Sequence, residues 1–167
     1  IRKNEEEMYN HLYEKVSAMM DNPGGTPEEL ERHTEMLNKA TKDARARQYV
    51  ESKIREEVMR EETLNASEID YYTQKLYAYM YGMGVLQELD DDKEVGEILV
   101  NCYRYPTFES NIYYYRNQKK YKYDRQFNSF EEMYGVFERA VSFENKELNS
   151  VENAQIETIR ANRDRVN

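Results

Sequence analysis

Between Pro27 and Gly82 the chain contains neither glycine nor proline. These are the two residues that most strongly interrupt helices, so this stretch is committed to helical structure. Thr26-Pro27-Glu28-Glu29 reads as its start, with Thr26 as N-cap, Pro27 at the first helical position and Glu29 closing a capping box. Leu30, Leu37, Ala40 and Ala44 form a thin apolar stripe that Val50, Ile54 and Val58 continue. The pattern fits one very long helix or two helices with a bend near Thr41. Upstream, Asn4 and Glu7 open another helix, with Tyr9, Leu12, Tyr13, Val16 and Met20 at helical spacing. Asn22-Pro23-Gly24-Gly25 stops it. Downstream, Asn65 and Glu68 cap a helix whose stripe is Ile69, Tyr72, Leu76, Tyr79 and Met80, ended by Gly82 and Gly84.

After a short helical turn around Leu86 and Leu89, the period changes. Glu97-Ile98-Leu99-Val100-Asn101 is a short apolar run suited to a buried strand. Asn111-Ile112-Tyr113-Tyr114-Tyr115 and Tyr121-Lys122-Tyr123 flank Arg116-Asn117-Gln118-Lys119 and predict a β-hairpin. Ser129 and Glu132 cap a helix over 130–143 with an apolar face of Phe130, Met133, Tyr134, Phe137, Ala140 and Val141. A strand is expected over 154–160, a turn over 161–164, and the start of a further strand at Arg165-Val166-Asn167. The expected class is α+β: a helical extension over 1–64, then a small sheet packed against a helix over 65–167.

Composition narrows the function classes. Charged residues make up 34% of the chain, yet 16 Tyr and 5 Phe supply the apolar bulk of a core, unlike a disordered chain. The net charge of -9 opposes binding of nucleic acid or an anionic membrane over the whole surface, though not at a local patch. No apolar run approaches the ~20 residues of a membrane span, and no signal segment opens the chain. Ile1 is not an initiator methionine, so the chain is expected to be part of a longer protein. The single Cys102 excludes an internal disulfide and fits a reducing cytoplasm. There is no P-loop, no GxGxxG, no HExxH and no nucleophile elbow. His11 and His33, expected on surface helices, do not combine with Cys102 into a zinc site. No catalytic residue, cofactor or metal site is expected in the chain.

One ordered set of motifs points further. Ile54-Arg55-Glu56-Glu57 and a second helix precede Gly84-Val85-Leu86-Gln87-Glu88-Leu89. Asp91-Asp92-Lys93-Glu94-Val95-Gly96-Glu97-Ile98-Leu99-Val100-Asn101 follows. This resembles the G-x-L-x-x-L-x-D-x-x-V-x-E-I-x-V-N-G stretch of the type II/IV secretion ATPases, with the tight-adherence pilus class nearest. The hairpin, the helix after Phe130 and the closing Arg165-Val166-Asn167 also fall in the family's order, over about two-thirds of the chain. The resemblance implies the N-terminal domain of a larger protein, lacking the RecA-like motor domain that carries the P-loop, ATP and Mg. It also implies six subunits in a ring, bound to inner-membrane pilus or secretion machinery and located in the cytoplasm at the inner face of the membrane. The family's glycine after V-N is Cys102 here, the 102–110 loop is longer, and the hairpin glycine is Gln118, so the turn must tolerate positive φ or change type.

In this family basic residues of the N-terminal domain can approach the nucleotide phosphates, a role for which the planar fork of arginine is suited. The resemblance makes Arg165 the first candidate. Arg160 is the second, because Ile159 holds the usual arginine position and a one-residue step turns a side chain to the other face. The bland alternative for Arg165 is a solvated strand-end residue. Arg116, Lys119, Lys120 and Lys122, with Arg125, make the one local basic patch. It fits contact with a neighbouring subunit or the motor domain, a charge-protected sheet edge, or nucleic acid, the last disfavoured. Asp90-Asp91-Asp92 reads as an acidic turn before a cation site, Tyr71, Tyr72, Tyr79 and Tyr81 as core and interface before a ligand box, and Cys102 as an unreactive thiol. The alternative to a motor-associated domain is a stand-alone interaction module that uses its long N-terminal helices as a partner-binding arm.

Overall fold

Each of the N-terminal helices begins at a side chain that satisfies the otherwise unpaired amides of its first turn. The computed structural model describes residues 3–141 and the strand at 154–159. Asn4 accepts from the Glu7 amide at 2.8 Å and opens α1 (Glu5–Asp21). Thr26 accepts from the Glu29 amide at 3.2 Å and opens α2 (Pro27–Lys39), with Pro27 in its first turn. Asp43 accepts from the Arg45 and Ala46 amides at 2.8 and 3.3 Å and opens α3 (Ala44–Val58). Asn65 and Glu68 form a reciprocal capping box at α4 (Ala66–Met80). Over 27–62 the chain is therefore two helices and not one, broken near Thr41, because Asp43 supplies a cap in mid-run.

The chain is α+β and divides into two compact units, Ile1–Tyr81 and Gly82–Asn167. The division falls at 81/82 and not at the expected 64/65: α4 buries its face among the preceding helices, and among the described residues no strand begins before Val95. The first unit buries Met8, Leu12, Val16 and Met20 of α1 against Val50, Ile54 and Val58 of α3 and Tyr72, Leu76 and Tyr77 of α4. Two expected stripes need correction. Leu30 is 40% exposed and Ala44 is exposed, while Ala46 is buried. On α4 the buried set is Tyr72, Thr73, Leu76 and Tyr77, with Tyr79 52% exposed. Tyr77 replaces Tyr79 because its hydroxyl donates to the Ala40 carbonyl at 3.1 Å and Arg47 lies 4.8 Å over its ring.

His33 also departs from expectation. It is 4% exposed and is the one buried residue of α2. Its Nε2 lies 3.0 Å from the Met20 carbonyl, which can only accept, so Nε2 carries a proton. Its Nδ1 lies 2.8 Å from the Tyr49 hydroxyl. The ring ties α2 to the end of α1 and to α3.

The second unit opens with a 3-10 turn at Gly84–Leu86 and α5 (Gln87–Asp91). Gly84 has φ +56, and a Cβ there would meet the Val136 Cγ2 at 3.0 Å, so the position needs glycine for both conformation and space. β1 (Val95–Tyr103), β2 (Glu109–Arg116), β3 (Lys119–Lys122) and β4 (Ala154–Ile159) form a sheet in the order β3-β2-β1-β4, with every pairing antiparallel. β1 pairs Val100 with Ile112 of β2 on one side and with Glu157 of β4 on the other.

α6 (Phe130–Val141) starts at Ser129, whose Oγ accepts from the Glu132 amide at 3.1 Å. Its Met133, Val136, Phe137 and Ala140 share a buried cluster with Ile98, Val100 and Ile112 of the sheet. Burying each of the larger side chains stabilises the unit by roughly 1.5–3 kcal/mol relative to exposure. Val136 takes the place expected of Tyr134, which is 37% exposed. The serine at the start of β2 fastens the segment before α6: the Ser110 Oγ accepts from the Phe127 amide at 2.9 Å and donates to its carbonyl at 3.1 Å. The Arg139 Nε donates to the Gly82 carbonyl at 2.7 Å and ties α6 to the start of the unit.

Candidate interaction hairpin

The β2–β3 hairpin turns on Asn117 and Gln118, both in the left-handed region at φ 52 and φ 67. Two positive φ values in a two-residue loop match a type I′ turn, whose twist agrees with that of the flanking strands. The turn thus tolerates positive φ without the glycine that such turns favour. Gln118→Gly is expected to stabilise the second unit by a few tenths to about 1 kcal/mol, because glycine avoids the left-handed penalty but loses more chain entropy. A thermal melt checks this, and a lowered midpoint would contradict the turn assignment.

The hairpin's four basic residues do not act alike. Arg116 pairs with Asp92, and its Nη1 lies 3.9 Å from the Glu94 Oε2. Asp92 also accepts from the Glu94 amide at 2.9 Å. Arg116 therefore pins the hairpin to the turn before β1, and its Nε is buried without a hydrogen-bond partner among the described residues. Asp92 acts in this latch, while Asp91 accepts from the Gln87 Nε2 at 3.0 Å.

Lys119, Lys120 and Lys122 are exposed and enter no ion pair among the described residues. The Lys120 Nζ lies 4.8 Å over the Tyr113 ring, a cation–π contact along one face of the sheet. On the other side Tyr114 stacks on Tyr121 at 5.4 Å and meets Tyr123 edge-on at 6.2 Å. The Tyr123 hydroxyl donates to the Glu88 Oε2 at 3.2 Å. Burial, then the Glu88 carboxylate, pushes the Tyr123 phenol above its ordinary pKa against the opposing pull of Arg125. A depression of about 370 Å³ beside β3 is lined by Asn111, Lys122, Arg125 and Gln126, among others. Rigidly placed ammonium groups on a pinned hairpin form a surface for carboxylates or phosphates.

The other sequence candidates separate from this surface. Arg160 and Arg165 lie outside the described residues, as do the expected turn at 161–164 and the strand after it. Tyr72 is core, as expected of part of the stripe. Tyr71 donates to Glu5, and burial together with Asp21 and Tyr13 pushes the Tyr81 phenol up to about 12. Cys102 is buried on β1 within the core under α6. Among the described residues no group of His, Cys, Asp and Glu is placed to hold a metal ion, and no helix is long and apolar enough to cross a membrane. No local signal marks the Arg116 latch, since its partners Asp92 and Glu94 are far away along the chain. No protein-family model matches the chain, and no curated protein matches it.

Proposed function

We propose that the chain is the non-catalytic N-terminal part of a hexameric secretion or pilus-assembly ATPase. In that role it positions subunits, docks inner-membrane pilus or secretion machinery, and couples to the motion of its own motor domain. ATP and Mg belong to that motor domain, and the work takes place in the cytoplasm at the inner face of the membrane. Arg165 and Arg160 are then the residues to approach the nucleotide, and Lys119, Lys120 and Lys122 the residues to meet a neighbouring subunit. The observation that carries the reading is the order of elements after Gly84. A helical turn, the β1 strand with Glu97-Ile98-Leu99-Val100-Asn101, a hairpin, a covering helix and a returning strand follow in the order of the family motifs.

The test is twofold. The reading frame is expected to run on past Asn167 into a GxxxxGK motif followed by Ser or Thr, within roughly a hundred residues. The chain by itself is expected to hydrolyse no ATP above a no-protein blank. A stop codon at Asn167, or turnover by the isolated chain, would remove this reading. A second reading, a stand-alone interaction module, is favoured by the first unit having a buried cluster of its own. Its mark would be a reading frame that stops.

A further inference from the structure

We propose that the basic hairpin docks head to tail on the acidic outer face of α1 in a second copy of the chain. Five basic residues lie within 113–125 against the single acidic Asp124, in a chain whose net charge is -9. Arg116 is consumed by its latch to Asp92 and Glu94. Lys119, Lys120 and Lys122 remain exposed, and the latch and the type I′ turn hold the strand that carries them. Little ordering is then required of the backbone on binding.

The complement lies in the first unit. α1 buries Met8, Leu12, Val16 and Met20. At about 100° per residue its opposite side presents Glu7, Asn10, Glu14, Ala18 and Asp21. All five are exposed, and no basic residue stands among them. Glu7 and Asp21 are about 21 Å apart along the axis. β3 and the residues running on to Arg125 can extend for up to about 20 Å. The small Ala18 and Asn10 let a strand edge approach the helix between the carboxylates.

A protein partner fits this surface better than nucleic acid does. Single-strand binding needs a positive groove as well as open rings on which bases stack, and the net charge of -9 opposes a polyanion, whereas a carboxylate-bearing helix face meets the lysines alone. Because the two surfaces differ, the contact is heterologous, and its repetition gives closed rings or open chains of subunits. The contact stands whether or not the chain belongs to a motor protein.

Sedimentation of the whole chain tests this in about 20 mM and about 500 mM NaCl, where the screening length falls from roughly 20 Å to a few ångström. Concentration-dependent association is expected at low salt, with the Kd rising about tenfold or more at high salt. K120E/K122E and E14K/D21K are each expected to be monomeric at low salt, and an equimolar mixture of the two is expected to associate again. All four positions are exposed, and Glu7 is left in place because it takes part in the α1 cap. A monomer at every salt concentration overturns the proposal, as does association indifferent to these substitutions or a mixture that stays monomeric. Binding of a single-stranded oligonucleotide by a chain that remains monomeric overturns it too and assigns the hairpin to nucleic acid.

Discussion

Phe137→Ala is expected to destabilise the second unit by about 3–5 kcal/mol, the largest effect of any single truncation proposed for this chain. Phe137 is buried among Met133, Val136 and Ala140 of α6 and the core side chains of the sheet, and it meets Phe127 edge-on at 6.3 Å. Truncation removes the transfer free energy of the ring and leaves a cavity that α6 closes only by moving. Phe127 is fastened at its backbone by Ser110 and does not follow into the space. A loss of this size in a unit of this length lowers the midpoint of its transition by more than about 10 °C. Calorimetry with near-ultraviolet dichroism, to which the tyrosines report, measures it. The buried cluster of the first unit shares no residue with that of the second, so its helical signal should melt at the wild-type temperature. A loss below about 1 kcal/mol would mean that α6 does not cover the sheet in the way described.

His33→Ala should cost about 2–4 kcal/mol, through polar groups more than through volume. The substitution strips the Met20 carbonyl and the Tyr49 hydroxyl of their partner inside the first unit. Each group left without a hydrogen bond costs about 1–3 kcal/mol when water cannot replace the partner. The rest of α2 is at most half-buried, with Leu37 packed against the buried cluster, so the helix should loosen before the rest of its unit does. Hydrogen exchange reads that order directly: the amides of α2 should lose protection while those of α1, α3 and α4 keep most of theirs. His33→Gln, whose amide can donate to the carbonyl, should recover part of the stability. Equal loss in both variants would show that packing, and not hydrogen bonding, is the ring's contribution.

These two residues show which parts of the molecule were legible before the structure. Phe137 was visible because the apolar period of α6 is strong and its cap, Ser129 with Glu132, is local. The caps at Asn4, Thr26 and Asn65 were visible for the same reason, since an N-cap is a contact between neighbours three residues apart. The strands at Ile98 and Ile112 and the hairpin between Arg116 and Lys119 followed from a change of period and a tight loop. His33 reads as a surface residue along the chain because nothing near it in sequence marks it as buried. Its partners Met20 and Tyr49 belong to two other helices.

The same distinction explains the misplaced stripe along α4 and the choice between one helix and two over 27–62. Tyr77 and Tyr79 have equal claims as tyrosines on one helix. The Ala40 carbonyl and the Arg47 guanidinium, both far away in sequence, select Tyr77 for burial. The lack of glycine and proline between Pro27 and Gly82 excluded breakers but did not guarantee continuity. A capping aspartate ends one helix and begins another as effectively. The unit boundary moved from 64/65 to 81/82 because boundaries follow buried contacts, and α4 contributes its face to the helices before it.

The α+β class, nearly every helix start, the hairpin and its basic character are legible along the chain, because each depends on spacing within a few residues. Only the folded chain shows that Arg116 is a latch while Lys119, Lys120 and Lys122 stay exposed and outside any ion pair among the described residues, and that His33 is a buried clasp. It also shows which tyrosines are core. Those outcomes depend on pairing between residues distant in the chain, where burial makes a polar group costly unless a partner is brought to it.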